Sequence, residues 1–473
     1  MSLLNRNLQK KDTKEADISV QALAEQLARE ATRTTAFTYG VEDIFNLQDS
    51  DDRVVVGKVE GTVKVGDTVY LTNFGIESEM QSTTVVSIEL GPEKPADRAS
   101  DCVAALRLEN LSKYAVRIGT VLHTGQTALR EIYRRYYSTL GDVYVAKKQF
   151  ALTEEEFDKL SYAEITECWN LYVWYTRNVM KPSNEHEEGL IKDRMNKAAK
   201  VIAKKIQKAD AISCVFSNNT GEPFMYSKTV KKDDGYMCSP IGIVLFPKQY
   251  EAIIRERMGQ ENIEIREISN GENKQGICNF LGQTFYMNGA DEVIPVFKNV
   301  SISNSILVAQ PDFSKMPEMN IPVMNPKLVK WMLLMAQIGE PQSEEQNTIF
   351  RLYYHFISME IPKAKFIVPM KGIKPEDMEE PDAQGRAVVK KDTKFSIATV
   401  NGKNGKPAAV MYTDWKRLRM RYNEEWNGMI VMLENIINNY DCAINVTEYV
   451  RAGVYINKEM FENMKKLQEI RQG

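Results

Sequence analysis

Between Phe37 and Leu122 the chain carries four short β-branched runs, VVVGKVEG, DTVYLTNF, TTVVSIEL and CVAALRLENL, each interrupted by Gly, Asp or Asn. Val, Ile and Thr fit a pleated, half-buried surface, and the interrupting residues supply turns, so the segment reads as closely spaced strands. Such strands dispose of their edges by closing on themselves, and residues 35–124 are expected to form a small β-barrel. Gly57, Gly66 and Asp67 are the expected structural turn positions, with Gly66 and Asp67 making a tight turn between strands and the alternating valines facing inward.

The rest of the chain changes character. Upstream, TKEADISVQALAEQLAREATR places Ile18, Leu23 and Leu27 at helical spacing, which predicts an amphipathic N-terminal helix within residues 1–34. Downstream, TEEEFDKLSYAEITECWNLYVWYTRNVM has capping residues followed by apolar spacings of three and four, so 125–184 is expected to be a helical connector ending in the hinge-like Lys181 to Asn184.

From 185 an order of helix, strand, turn, strands, helix and strand runs to about 310, and a similar order recurs over 344–473, with a linker helix inside 311–343. The best internal match sets IGIVLFPKQYEAIIRER against PAAVMYTDWKRLRMRY, where Pro247 or Thr413 opens a helix. GMIVMLENIINN is read as a further helix of the second unit. KPEDMEEPDAQG reads as an acidic insertion, and NGKNGKP, which lacks the Ser or Thr of a phosphate loop, as a hairpin turn. At about 100 to 200 residues per domain, 473 residues fit this division, a multidomain chain of all-β barrel, helical connector and two α+β modules.

Composition removes several classes of function. A net charge of −3 opposes bulk binding to DNA or RNA, which needs a large cationic footprint, although a local basic patch stays open. The longest apolar runs, such as Ile241 to Phe246, are too short to cross a bilayer, so no membrane association is expected. The N-terminus shows no secretory pattern, and six cysteines without CxxC spacing fit free thiols, so a cytoplasmic location is expected.

Two resemblances follow from motifs. Glu42-Asp43-x-Phe45, Val55-x-Gly57-x-Val59, Val65-Gly66-Asp67-x-Val69 and the closing Arg117-x-Gly119-x-Val121-Leu122 resemble domain 2 of translational GTPases of the elongation factor Tu type. In that family the first motif borders the pocket for the aminoacylated end of a transfer RNA, so the resemblance implies a small pocket lined by Glu42, Asp43 and Phe45. The residues alone are read first as the start of a barrel strand. No G-x-x-x-x-G-K-[ST] precedes the barrel, and no GTPase domain is expected. The segments FSNNTGEPFMYS to LFPKQYE and FSIATVNGKNGKPAAVMYTDWKRL, with CAINV near the end, are similar to the SseB family, named for enhanced serine sensitivity. That family has no established catalytic residues, so the likeness implies none here.

The residues offer no catalytic constellation. His123, His186 and His355 have no acidic or histidine partner at ligand spacing, and no nucleophile elbow occurs, so neither enzyme activity, a metal nor a cofactor is expected. Two helices mix cations with aromatics. LREIYRRYY carries Arg130, Tyr133, Arg134, Arg135, Tyr136 and Tyr137, and DWKRLRMRY carries Trp415, Lys416, Arg417, Arg419, Arg421 and Tyr422. Guanidinium and ring faces together suit RNA or an acidic protein, and they also suit ordinary solvated helix faces. The first helix, directly after the barrel, is the preferred candidate surface through Arg130, Tyr133, Arg134, Arg135 and Tyr137. The resulting expectation is a non-catalytic binding or adaptor protein with a protein partner or small ligand. The alternative is a translation-associated factor contacting transfer RNA or ribosomes.

Overall fold

The computed structural model describes residues 37–472 except 48–49, 75–80, 111–115, 234, 260–261, 318–319, 374, 381–389, 391–392, 403–404 and 450–451. The expected helix within 1–34 lies outside the described residues, as do the second half of the acidic insertion and the middle of NGKNGKP.

The first unit comprises β1 (Thr38–Asn46), β2 (Arg53–Glu60), β3 (Thr62–Lys64), β4 (Thr68–Thr72), β5 (Gln81–Glu89), β6 (Pro95–Ala96), β7 (Arg98–Ser100), β8 (Val103–Leu108) and β9 (Val121–His123). Among the described residues six of them close a barrel in the order β4-β9-β1-β2-β8-β5, and β5 pairs back to β4, every contact antiparallel. Its interior is the alternating face read from the sequence: Val55, Val59, Val69, Leu71, Val85, Leu106 and Leu122 are buried together. Tyr39 stands inside and directs its hydroxyl to the carbonyls of Val55 and Ala104, 2.8 and 3.0 Å away, joining two neighbouring walls.

The expected turn is present. Gly66 has φ +88°, a conformation that costs glycine least, and Asp67 Oδ2 accepts from Lys64 N at 2.8 Å. Val65 at the tip is exposed rather than inward. Gly57 is not a turn residue: it lies within β2, where a Cβ would stand 2.0 Å from the Gly40 carbonyl oxygen. Its requirement is close strand approach.

The connector is helical, as expected: α1 (Leu129–Leu140), α2 (Glu154–Lys159) and α3 (Tyr162–Tyr175), with π-helical turns at Gly141–Lys147 and Thr176–Met180. Thr153 and Ser161 start α2 and α3 with reciprocal capping boxes to Glu156 and Glu164.

The first module follows: α4 (Glu185–Lys208), β10 (Ala211–Ser217), β11 (Met225–Tyr226), β12 (Thr229–Lys232), β13 (Gly235–Cys238), β14 (Gly242–Phe246), α5 (Glu251–Met258), β15 (Ile263–Ser269), α6 (Gly276–Tyr286), β16 (Glu292–Pro295), β17 (Ile302–Ser303) and α7 (Asn304–Leu307). The linker helix α8 (Pro326–Ile338) leads to the second: α9 (Glu344–Glu360), β18 (Lys365–Lys371), β19 (Ser396–Ile397), β20 (Thr399–Asn401), β21 (Pro407–Met411), α10 (Trp415–Arg419), β22 (Asn427–Met432), β23 (Asp441–Ile444), β24 (Val454–Ile456) and α11 (Lys458–Gln472).

The two modules repeat one topology. In the first, the sheet order is β15-β10-β14-β16-β17, with β14 and β16 parallel and the other neighbours antiparallel. In the second, β22 flanks β18, an antiparallel bridge from Ile367 to Tyr412 joins β18 to the end of β21, β21 runs parallel to β23, and β24 closes the edge. β11 on β14 corresponds to β20 on β21, whose connecting loop is closed by Gly402 N donating to Lys406 O, the expected hairpin. One continuous core runs through the connector and both modules, from Phe74 to Met464, while the barrel interior and a small cluster around Ile367, Tyr412 and Leu418 are separate.

Two expectations fail in the second module. GMIVM was expected to be helical and is the edge strand β22, because a short apolar run has no period that separates helix from strand. Thr413 was expected to cap a helix, but the cap is Asp414, whose Oδ1 accepts from Arg417 N, one residue later.

Candidate functional site

Glu42 sits at a bulge in β1, where the pairing with β2 skips a residue between Val41 and Asp43. The bulge aims Glu42 at the π-helical turn after α1, where its carboxylate meets Lys147 Nζ at 2.8 Å. This hydrogen bond is the main reason that the Lys147 ammonium titrates above its usual range, whereas burial and then Glu42 raise Asp142. Asp43 accepts from its neighbour Ile44 N, and Phe45 is 51% exposed at the end of the strand. Glu42, Asp43 and Phe45 all lie on β1, and of the three Glu42 is the one that acts electrostatically on Arg135 of α1.

Those side chains of α1 do not form one open surface. Thr139 packs against Gly40, laying the helix on β1. Arg135, with a side chain 3% exposed, reaches Glu60 at 3.0 Å and the Lys58 carbonyl, while Arg134 pairs with the other oxygen of Glu60. Burial raises the Glu60 carboxyl, and the two guanidinium groups outweigh it, holding the group below its usual range. Arg130 is exposed near the start of the helix. A second ion pair runs the other way, from Arg117 of the barrel to the buried Glu164 of α3.

Tyr133, whose ring also meets Phe74 just past β4, and Tyr137 face a lysine that sequence reading did not single out. Lys298 lies just past β16, on a loop whose preceding residues Val296 and Phe297 have φ +53° and +54°, strained values for such side chains. Its Nζ is 2.8 Å from Glu167 Oε2, 3.0 Å from Tyr133 Oη, and 4.7 Å from the ring centre of Tyr137. Tyr133 donates to the other Glu167 oxygen at 2.5 Å, and Asn170 donates to Tyr137 at 2.7 Å. Burial lowers the lysine to about 8, with Glu167 opposing that shift and Arg257 adding to it.

The second basic helix is likewise engaged. Glu222, at the β10–β11 loop, accepts from Lys416 Nζ at 2.9 and 3.0 Å and from Asn288 at 3.0 Å, and lies 3.4 Å from Arg417. Arg417 also bonds Asn288 Oδ1 at 2.9 Å and its own cap Asp414 at 2.5 Å. Thr413 donates to Asp414 and accepts from Asn445. Burial raises the Glu222 carboxyl, and Arg417 and then Lys416 more than offset it, so the group stays below the usual carboxylate range.

Successive units are therefore joined by charge: Arg134 and Arg135 on Glu60, Lys298 on Glu167, Lys416 and Arg417 on Glu222. In each case a later unit supplies cations to a carboxylate of the one before it. Chemically, these clusters fix geometry, since their charged groups are paired with one another, although among the described residues Arg134 Nε and Arg135 Nε are buried without a hydrogen-bond partner and Glu167 Oε2 has only its ion pair with Lys298. Glu60, Glu167, Glu222 and Lys298 were all missed, and no local motif marks them. Among the described residues, no group of three or more His, Cys, Asp or Glu is gathered as a metal site, and no helix is long and apolar enough to cross a membrane.

No family model matches this chain, and no curated protein matches it. Among solved structures, translation elongation factor SelB from Methanococcus maripaludis is similar to it, both in the apo form and in complex with the GTP analogue GppNHp. Each of the two is 21% identical over 20% of this chain and 19% of that one, with a TM-score of 0.17. The chain thus spans about a fifth of the length of the structures it matches. The closed barrel rests on its own strand pairing.

Proposed function

We propose that this chain is a cytoplasmic, non-catalytic adaptor that recognises a protein partner through its barrel and its two modules, the modules being of SseB type. The observation that carries the reading is the β12–β13 arm of the first module. Val230 and Met237 face each other across it and are 56% and 59% exposed, with Tyr236 exposed beside them. A two-stranded arm is marginal alone, and large apolar side chains left in water on one mark a protein-binding surface. Lys231, Lys232 and the turn residue Asp233 give the arm a polar rim around these apolar side chains. Engagement of both basic-aromatic helices inside the chain favours a protein over transfer RNA or ribosomes, and DNA and membranes are not expected as partners.

The test is a pull-down from native lysate with the wild type and with Val230→Ser plus Met237→Ser, each divided into nuclease-treated and untreated halves. A defined protein that survives nuclease and is lost from the variant is the expected result. Transfer RNA or ribosomal proteins recovered only without nuclease would replace this reading with the translation one. Substrate turnover abolished by one side-chain change would end the non-catalytic reading.

A further inference from the structure

β15 and β22 occupy the same place in the two modules, each the outer strand next to the first strand of its sheet. They are protected differently. β15 reads IEIREIS and carries Glu264, Arg266 and Glu267, with Arg266 paired to Glu264 at 2.7 Å. Charges of this kind keep an exposed strand edge from pairing with another chain. β22 reads NGMIVM and carries none, and its ladder runs only to β18 among the described residues.

Its two faces also differ. Met429 and Val431 pack on the continuous core, while Ile430 is cross-strand partner to the fully buried Ile367 on the side covered by α10. Ile367 is sealed there, but Ile430 stays 45% exposed. The small core under α10 is thus open at its β22 margin.

We propose that the β22 edge is an association site for a second copy of this chain, which lays its own β22 antiparallel along it and joins the two second-module sheets. An uncharged strand paired with itself about a two-fold axis sets apolar residues opposite apolar ones, with no like charges opposed. The second Ile430 covers the open margin of the α10 core. Pairing centred on Ile430 also brings Glu434 of each copy toward Lys371 at the end of the other strand, a cation that already holds Glu425 at 2.9 Å. Six residues of strand bury less than the roughly 1,200 Å² of a standard interface, so the dimer is a weak one.

The full chain is examined by sedimentation velocity from about 1 µM to about 200 µM, the range in which small interfaces associate. The wild type shifts from monomer to dimer, Ile430→Lys and Ile430→Glu each weaken association at least about tenfold, and an equimolar mixture of the two recovers it. Ile430 is 45% exposed in the monomer, so both variants fold, and a cooperative melt with the wild-type circular dichroism spectrum checks that they do. A monomer at every concentration overturns the proposal, as does a dimer indifferent to Ile430→Lys. A monomer that binds a synthetic NGMIVM peptide overturns it in favour of a peptide strand as occupant.

Discussion

Val296 and Asn445 hold the same position in the two modules: each is the first residue past a parallel strand, each has φ +53°, and each donates its amide to the strand opposite, at Leu245 O and Met411 O, 2.8 Å in both cases. Asn tolerates the left-handed region, and here its side chain also accepts from Thr413 N. Val does not tolerate it, and its backbone is held by the core around it. The asymmetry decides what each carboxyl end of a parallel pair presents. The second module shows a polar network to Glu222, and the first shows Lys298 to the connector.

Exchanging that residue tests the assignment. Asn445→Val loses the Thr413 bonds and adds a β-branched side chain in the left-handed region, together about 2 to 4 kcal/mol. Asn445→Gly keeps the conformation and loses the bonds, about 1 to 2 kcal/mol. Urea unfolding is expected to rank wild type above Gly above Val. Equal losses for Gly and Val would show that backbone conformation contributes nothing there.

Removing Glu222 takes from the buried Arg417 its acidic partner across the junction but leaves it Asp414, so Glu222→Gln is expected to cost about 1 to 3 kcal/mol in thermal or urea unfolding. The pH dependence follows from the same pair. The folded carboxyl titrates below its unfolded value of 4.5, so its contribution is complete above that value and is lost as pH falls through the folded one. The acid limb of the wild-type stability curve is therefore steeper than that of Glu222→Gln, and superimposable acid limbs would refute the linkage.

The barrel was legible because its signal is local. Val55, Gly57 and Val59 alternate within one strand, and Gly66-Asp67 turns within four residues. The module repeat was legible in IGIVLF and PAAVMY for the same reason. GMIVM was not, since strand and helix compete for so short a run and pairing with β18 decides. The charge clusters were illegible on physical grounds. Arg135 shows a cation on a helix face, but its acceptor Glu60 lies 75 residues away, and Lys416 meets Glu222 across 194. Composition marks the donors as available for RNA or protein, and only tertiary structure supplies their acceptors.

For the first junction, Arg135→Ala is expected to destabilise more than Arg134→Ala, because the Arg135 side chain is nearly sealed while Arg134 is a quarter exposed. Losing the sealed partner costs about 1 to 3 kcal/mol, since Glu60 keeps Arg134, and solvent screening holds the other to about 1 kcal/mol or less. Raising salt shrinks the Arg134 effect and leaves the Arg135 effect nearly unchanged. Equal effects with equal salt dependence would place both guanidinium groups at the surface.

The Lys298–Glu167 pair permits a test whose sign is set in advance. Lys298→Met strands a buried carboxylate and is expected to cost about 3 to 5 kcal/mol, whereas Lys298→Met with Glu167→Leu removes both charges and recovers most of that loss. With the lysine at about 8 in the folded chain and 10.5 unfolded, the unfolded chain holds the extra proton between those values. Stability from this group therefore rises with pH across that window. Above about 10 the buried Tyr133, Tyr136 and Tyr250, whose phenols burial pushes well up, act in the opposite direction, since only the unfolded chain releases their protons. Subtracting the Lys298→Met curve from the wild-type curve cancels Tyr136 and Tyr250, and keeping the comparison below about pH 10 leaves out Tyr133, which touches Lys298. The difference is expected to grow from pH 8 to 10, and a flat difference would mean that Lys298 keeps an ordinary ammonium in the folded protein.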